Sequence, residues 1–184
     1  VSSAVAATLI GDTDSASPYL TALGSGAGAS NSSTGLRNTA VGYDAFTTNT
    51  TGDNNVAFGY QALTNANNNF SNVAIGAYAL LTNTTGSFNI AIGDGAMALN
   101  ATGNENTAIG DGALFNNTTN AITAVGHGAL KANTTGAFGV AVGHSALKVN
   151  TTGANNVAVG YQALDTNTTG SRNIAVGYQA LDAN

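Results

Sequence analysis

The chain has 184 residues, of which only 7% are charged; it carries a net charge of −5, 24 glycines, one proline and no cysteine or tryptophan. A typical soluble domain is roughly 25% charged, and disordered chains depend on charge, so this composition argues against disorder. Its four basic residues, Arg37, Lys131, Lys148 and Arg172, are too few for the clusters that bind nucleic acid by counterion release. The missing cysteine removes disulfides, thiolate zinc sites and thiol catalysis. No apolar run approaches the roughly 20 residues of a membrane-spanning helix, so membrane insertion is not expected.

In chain order, residues 1–20 come first and do not repeat. They begin VSSAVAATLI, a β-prone apolar stretch without a charged leader, as expected of a mature end left after a signal peptide is removed. This segment is expected to serve as a cap or as a strand added to a neighbouring subunit. From residue 21 onward the chain is periodic. An apolar residue followed by glycine recurs at Gly42, Gly59, Gly76, Gly93, Gly110, Gly126, Gly143, Gly160 and Gly177, in steps of 17 with a single step of 16. A looser copy surrounds Gly24. The consensus is N-[V/T/I]-A-[V/I]-G-x-x-A-L-x-x-N-T-T-G-x-x, and positions below are numbered along it.

A 17-residue unit is too short for a helical-hairpin repeat, and its β-branched, Gly-punctuated interior lacks a helical stripe. N-T-T-G is turn chemistry, because Asn and Gly accept left-handed backbone and Thr hydroxyls bond locally. Residues 21–184 are therefore predicted to form an all-β solenoid, a parallel β-roll of about ten coils, each made of a short N-V-A-V-G strand, a bend, a second short strand around A-L, and the turn. At about 4.8 Å per coil the rod is roughly 45–50 Å long.

Successive strand side chains alternate between faces. The β-branched residues at positions two and four are expected to line the coil interior, which turns the alanine at position three outward. That column is Ala40, Ala57, Ala74, Ala91, Ala108, Ala124, Ala141, Ala158 and Ala175. An outward row of unvarying alanines is expected to pack against another copy of the same chain. Asparagines form columns too, at position one (Asn38, Asn55, Asn72, Asn89, Asn106, Asn156, Asn173) and at position twelve. Such columns are expected to form amide ladders from coil to coil. The position-twelve residues Asn49, Asn83, Asn100, Asn117, Asn133, Asn150 and Asn167 also begin N-x-[S/T] sequons, candidate glycosylation sites in a host that glycosylates, although the same tetrapeptide is simply a good turn.

Position six varies. It carries Tyr43, Tyr60, Tyr161 and Tyr178, a candidate ligand face for glycans, and between them Asp94, Asp111, His127 and His144. The Asp-Asp-His-His run lacks the convergent set of ligands that a metal site needs, so neither a metal nor any other cofactor is expected. No nucleophile–base–acid set occurs, and an enzyme is not expected.

The segments NVAFGYQAL (55–63), NVAIGAYAL (72–80), NVAVGYQAL (156–164) and NIAVGYQAL (173–181) resemble the head repeats of trimeric autotransporter adhesins, and resemble still more the repeats of tail-fibre-like proteins. The resemblance covers residues 38–184 well and 21–37 loosely. It implies a left-handed β-roll, three chains side by side, in a cell-surface or virion fibre that is often adhesive. The unit here is longer than in adhesin heads because of the N-T-T-G turn.

The repeat reaches Asn184 in mid-unit. Either a neighbouring domain caps it, the chain being a fragment, or copies stack head to tail, a heterologous contact that grows filaments. Together these readings predict an extracellular, cell-surface or virion structural protein. Its partners are expected to be copies of itself, in a lateral trimer or a head-to-tail filament, with a host surface or glycans as secondary partners. The alternatives are a receptor- or glycan-binding tail-fibre segment and an ice-binding solenoid. Against ice binding stand the Thr pairs, which lie in the turn, and the expected alanine face of the strand.

Overall fold

Each repeat contributes one short strand and not the expected two, because the A-L segment lies in a bend whose position-nine residue has positive φ, and every strand hydrogen-bonds to the same positions of the coils before and after it. A computed structural model describes residues 10–11, 19–31 and 37–182. Its strands are β1 (Ile10–Gly11), β2 (Thr21–Leu23), β3 (Thr39–Val41), β4 (Val56–Phe58), β5 (Val73–Ile75), β6 (Ile90–Ile92), β7 (Thr107–Ile109), β8 (Thr123–Val125), β9 (Val140–Val142), β10 (Val157–Val159) and β11 (Ile174–Val176). They form one sheet in chain order. From β2 to β11 all pairings are parallel and in register, alanine opposite alanine, as in Ala91↔Ala108 and Ala158↔Ala175. This is the predicted β-solenoid. Among the described residues no helix is present that is long and apolar enough to cross a membrane.

The first strand is the exception in direction. Ile10–Gly11 pairs antiparallel with β2 (Ile10↔Ala22, Gly11↔Thr21), so this part of the N-terminal segment lies on the chain's own first coil. Residues 1–9 and 12–18, on which the rest of the cap or strand-donor expectation falls, lie outside the described residues, as does Asn184.

The phase of the strand is opposite to the one expected. Ala40, Ala57, Ala74, Ala91, Ala108, Ala124, Ala141 and Ala158 are completely buried and Ala175 nearly so. They point into the coil, and the β-branched residues on either side of them point out, as the intermediate–buried–exposed pattern of β5 illustrates. The reason is cross-section. A 17-residue coil is narrow, and its two walls are alanine at positions three and eight, with the position-nine side chains, such as Leu63, Leu114 and Leu147, filling the space between them. A methyl group fits where a Val or Ile would force the walls apart, and overpacking of that kind costs about 1–3 kcal/mol per site. Positions one, three and five share the inward parity: Asn, Ala and Gly.

The bend after each strand is made by left-handed residues at positions five, seven and nine. In the coil after β7 these are Gly110 (φ 131°), Gly112 (φ 61°) and Leu114 (φ 51°). A leucine held there costs roughly 1–2 kcal/mol, offset by about 1.5–3 kcal/mol from complete burial of its side chain. Position seven tolerates many residues at the same φ, including Gln61 (φ 52°) and Tyr78 (φ 58°). Position five is always glycine, because a Cβ on Gly93 would lie 2.5 Å from both the carbonyl carbon and oxygen of Gly110 in the next coil.

The polar interior lies at the opposite end of the coil. At position one, the Asn Oδ1 accepts the position-one backbone N–H one coil on, as from Asn89 to Asn72 (3.0 Å), from Asn106 to Asn89 (3.0 Å) and from Ile122 to Asn106 (3.0 Å). Its Nδ2 donates to the turn glycine carbonyl at the end of its own unit, as from Asn72 to Gly86 (2.9 Å) and from Asn89 to Gly103 (2.8 Å). At position twelve, Nδ2 donates to the turn glycine of its own coil (Asn133 to Gly136, 3.0 Å) and to the Asn before it (Asn150 to Asn133, 3.2 Å). The predicted amide ladders therefore exist at both columns, and both are buried.

Two irregular coils show how the ladder absorbs change. The 16-residue unit loses its residue in the turn. The carbonyl of Thr119 takes the bonds that glycine takes elsewhere, from Asn106 (2.8 Å) and Asn117 (2.9 Å), and the strands stay in register. In the unit beginning at Asn55, position twelve is Ala66 and position fifteen is Asn69. The amide has moved three places and fills the space, but Asn69 Oδ1 and Nδ2 and Asn83 Oδ1 are buried without partners. An unsatisfied buried polar group costs about 1–3 kcal/mol. Restoring the consensus with Ala66→Asn and Asn69→Gly together is expected to stabilise the protein by about 2 kcal/mol, measured as a rise in the denaturant midpoint. Ala66→Asn alone, which crowds two amides into one space, is expected to destabilise it.

Candidate functional site

The outward phase of the strands creates a continuous uncharged surface along the described coils. Position two reads Thr21, Thr39, Val56, Val73, Ile90, Thr107, Thr123, Val140, Val157 and Ile174 from β2 to β11. Position four reads Leu23, Val41, Phe58, Ile75, Ile92, Ile109, Val125, Val142, Val159 and Val176. Not one is charged, and the only polar side chains are threonines. Phe58 is 54% exposed and Ile75, Ile90 and Ile109 are each close to 40%. The face is a flat double column of mostly β-branched side chains, spaced by about 4.8 Å from coil to coil.

This overturns the alanine column as a self-association surface. Those alanines are covered by their own coil and no second chain can touch them. The strand side chains that point outward are those at positions two and four. The missed signal was parity: Asn at one and Gly at five belong inside for hydrogen-bonding and steric reasons, and alanine at three shares their side of the strand. Hydrophobicity drew the β-branched residues inward instead, because such residues are most often buried.

The sequons are likewise placed inside. Asn49, Asn83, Asn100, Asn117 and Asn133 are fully buried, with Asn150 and Asn167 nearly so. Their amides are committed to the ladder, so the expectation of glycosylation on the folded chain is corrected. A glycan attached to any of them would have to occupy the coil interior.

Position six borders the outer face where each strand ends. Tyr43, Tyr60, Asp94, Asp111, His127, His144, Tyr161 and Tyr178 are all solvent-accessible. The rings stack on one another along the rod: Tyr43 on Tyr60 (centroids 5.5 Å apart), His127 on His144 (4.9 Å), His144 on Tyr161 (5.2 Å) and Tyr161 on Tyr178 (5.3 Å). Ring faces used in this way are covered by their neighbours, which leaves mainly ring edges for a sugar. Tyr78, at position seven, adds an edge-on contact to Tyr60 (5.2 Å). Among the described residues, Asp94, Asp111, His127 and His144 stay one per coil, and no three His, Cys, Asp or Glu residues gather as a metal site.

The other edge of the face is position seventeen, just before each strand. It carries two isolated exposed rings, Phe88 (61%) and Phe138 (64%). A polar groove at the turn is lined by Thr48, Asn65, Asn67, Thr82, Thr84 and Thr85. Its hydroxyls are largely engaged, Thr48 donating to the Thr64 carbonyl (2.8 Å) and Thr82 to that of Ala98 (3.0 Å), so the groove offers a ligand few free donors. No family model matches the chain, and no curated protein or solved structure does either.

Proposed function

We propose that this chain is a structural protein of an extracellular, cell-surface or virion fibre, and that copies of it assemble through the outer strand face. The observation that carries this reading is the unbroken uncharged double column from β2 to β11. Contiguous apolar patches of more than a few hundred Å² mark interaction surfaces on soluble proteins. Parallel sheets are ordinarily covered on both sides, and here the coil covers only one. Adhesion to a host surface or glycan is the accompanying role, resting on the accessible tyrosine edges.

The test is sedimentation of the purified chain beside an Ile92→Lys, Val142→Lys variant. Both positions point outward, so the variant is expected to keep its β-sheet circular dichroism. Its association is expected to be at least about 100-fold weaker, because burying unpaired charge in an apolar interface costs several kcal/mol. A wild-type chain that sediments as a monomer at hundreds of micromolar, by order of magnitude of a weak interface, overturns the reading.

A second reading, ice binding, gains from the corrected phase. The alanine that argued against it is interior, and the face presents outward Thr, Val and Ile at fixed spacings along and across the rod. Thermal hysteresis that persists in the monomeric state and is lost on Thr107→Lys, Thr123→Lys would favour it over assembly.

A further inference from the structure

Resting on the self-association reading, we infer that two copies pair through the outer strand face with their rod axes antiparallel, about a two-fold axis that runs along the strands and passes between β7 and β8. Such an axis keeps each column at the same edge of the interface while reversing the order of the coils. β7 then faces the partner's β8, β6 its β9, β5 its β10 and β4 its β11.

Three separate columns agree on this axis. At position six, Asp111 follows β7 and His127 follows β8, so Asp111 meets the partner's His127. One coil further out, Asp94 meets the partner's His144. Acid faces imidazole at these two central levels, each contact occurring twice by symmetry, and the two outer levels pair Ala77 with Tyr161 and Tyr60 with Tyr178. At position seventeen, Phe88 precedes β6 and Phe138 precedes β9, so the two isolated exposed rings meet one another. On the face itself, Thr107 meets the partner's Thr123, and the strands outside them place only Val, Ile and Phe opposite Val and Ile.

A parallel arrangement, in a dimer or a trimer, sets equal heights side by side. In a parallel pair, whose two-fold axis runs along the rods, the two edges exchange, so Asp111 lies against the partner's Glu105 and Asp94 against the partner's Phe88, and neither acid meets an imidazole. Like charges brought together at an interface oppose association. The order Asp-Asp-His-His therefore favours the antiparallel pair. An Asp and an imidazole attract when the ring is protonated and hydrogen-bond when it is neutral.

The area is sufficient. Eight overlapping strands span about 38 Å, and the strip from position seventeen to position six is about 20 Å wide. Each copy thus buries on the order of 750 Å², about 1,500 Å² in total, which falls in the range of stable specific interfaces.

The chain has no cysteine, so Tyr178→Cys gives a single attachment point for a nitroxide label. In the antiparallel pair the two labels lie seven coil steps apart, about 34 Å along the rods. A parallel pair or trimer brings them within about 20 Å. Sedimentation of the labelled chain is measured alongside. Association with a distance near 34 Å or longer supports the proposal. Association with a short distance overturns the antiparallel arrangement and leaves the self-association reading standing. A monomer at high concentration overturns both. An Asp94→Asn, Asp111→Asn variant is the second arm. The antiparallel pair loses its acid–imidazole contacts and should dissociate about three- to tenfold more readily, whereas a parallel assembly, relieved of like charge, should tighten or stay unchanged.

Discussion

Replacing Gly93 with alanine is expected to destabilise the protein by about 4 kcal/mol, the largest single-substitution effect in the rod. Two independent costs combine. The backbone there has φ 135°, a conformation that L side chains rarely adopt. The added methyl carbon would also sit 2.5 Å from the backbone of Gly110 in the next coil. Because the obstruction is backbone, no rotamer change can relieve it, and the coils would have to separate. Stability in stacked repeats is a sum of coil and interface terms, so a central coil forced from its neighbour divides the rod. Gly112→Gln is the matched control. Gly112 has φ 61° and meets only the flexible end of Lys131, and Gln61 and Gln162 occupy the same position at φ 52°. That substitution should change stability by less than about 1 kcal/mol. Chemical denaturation of both variants decides the matter; equal midpoints would show that coil-to-coil contact at position five is not limiting.

Asn89→Leu is expected to cost about 3 kcal/mol, although it removes no apolar contact and nearly preserves volume. Asn89 Oδ1 accepts the buried backbone N–H of Asn106, and its Nδ2 donates to the carbonyl of Gly103 and to Asn72 Oδ1 (3.1 Å). Leucine leaves the Asn106 N–H without its acceptor and takes one of two donors from Gly103, which retains Asn100 (3.0 Å). The backbone N–H of residue 89 still reaches Asn72, so the damage lies on the C-terminal side. Amide hydrogen exchange should therefore rise most at residue 106. Protection at 106 equal to that of the unsubstituted chain would sink the view that the ladder, and not the alanine and leucine interior, joins these coils. The position-one column does contain Ile122 and Gly139, so single gaps are tolerated. The expected effect is a loss of stability, not a failure to fold.

How much of this was legible in the chain depends on the kind of information. Period, the N-V-A-V-G strand and parallel register follow from counting glycines and alanines, since a repeat that cannot bury its own apolar face must stack on its neighbours, whereas the strand expected around A-L is a bend. The amide ladders were equally legible, because asparagine at a fixed spacing has few other uses. The ring column was legible as a column and so was its stacking, because rings at one repeat position lie one coil apart; Tyr43 on Tyr60 and His127 on His144, with centroids about 5 Å apart, follow from that spacing.

The sequence by itself determined that this protein is a β-solenoid of 17-residue coils closed by an N-T-T-G turn and laced by asparagine. What only the tertiary structure decided is which side of each strand is the inside. A two-residue alternation has two phases of equal standing, and the hydrophobic rule favours the wrong one here. The width of the coil settles it. Opposite walls of a 17-residue loop lie too close for two β-branched side chains, so Ala91 and Ala108 turn in, Ile90 and Ile92 turn out, and an apolar face is left on the surface.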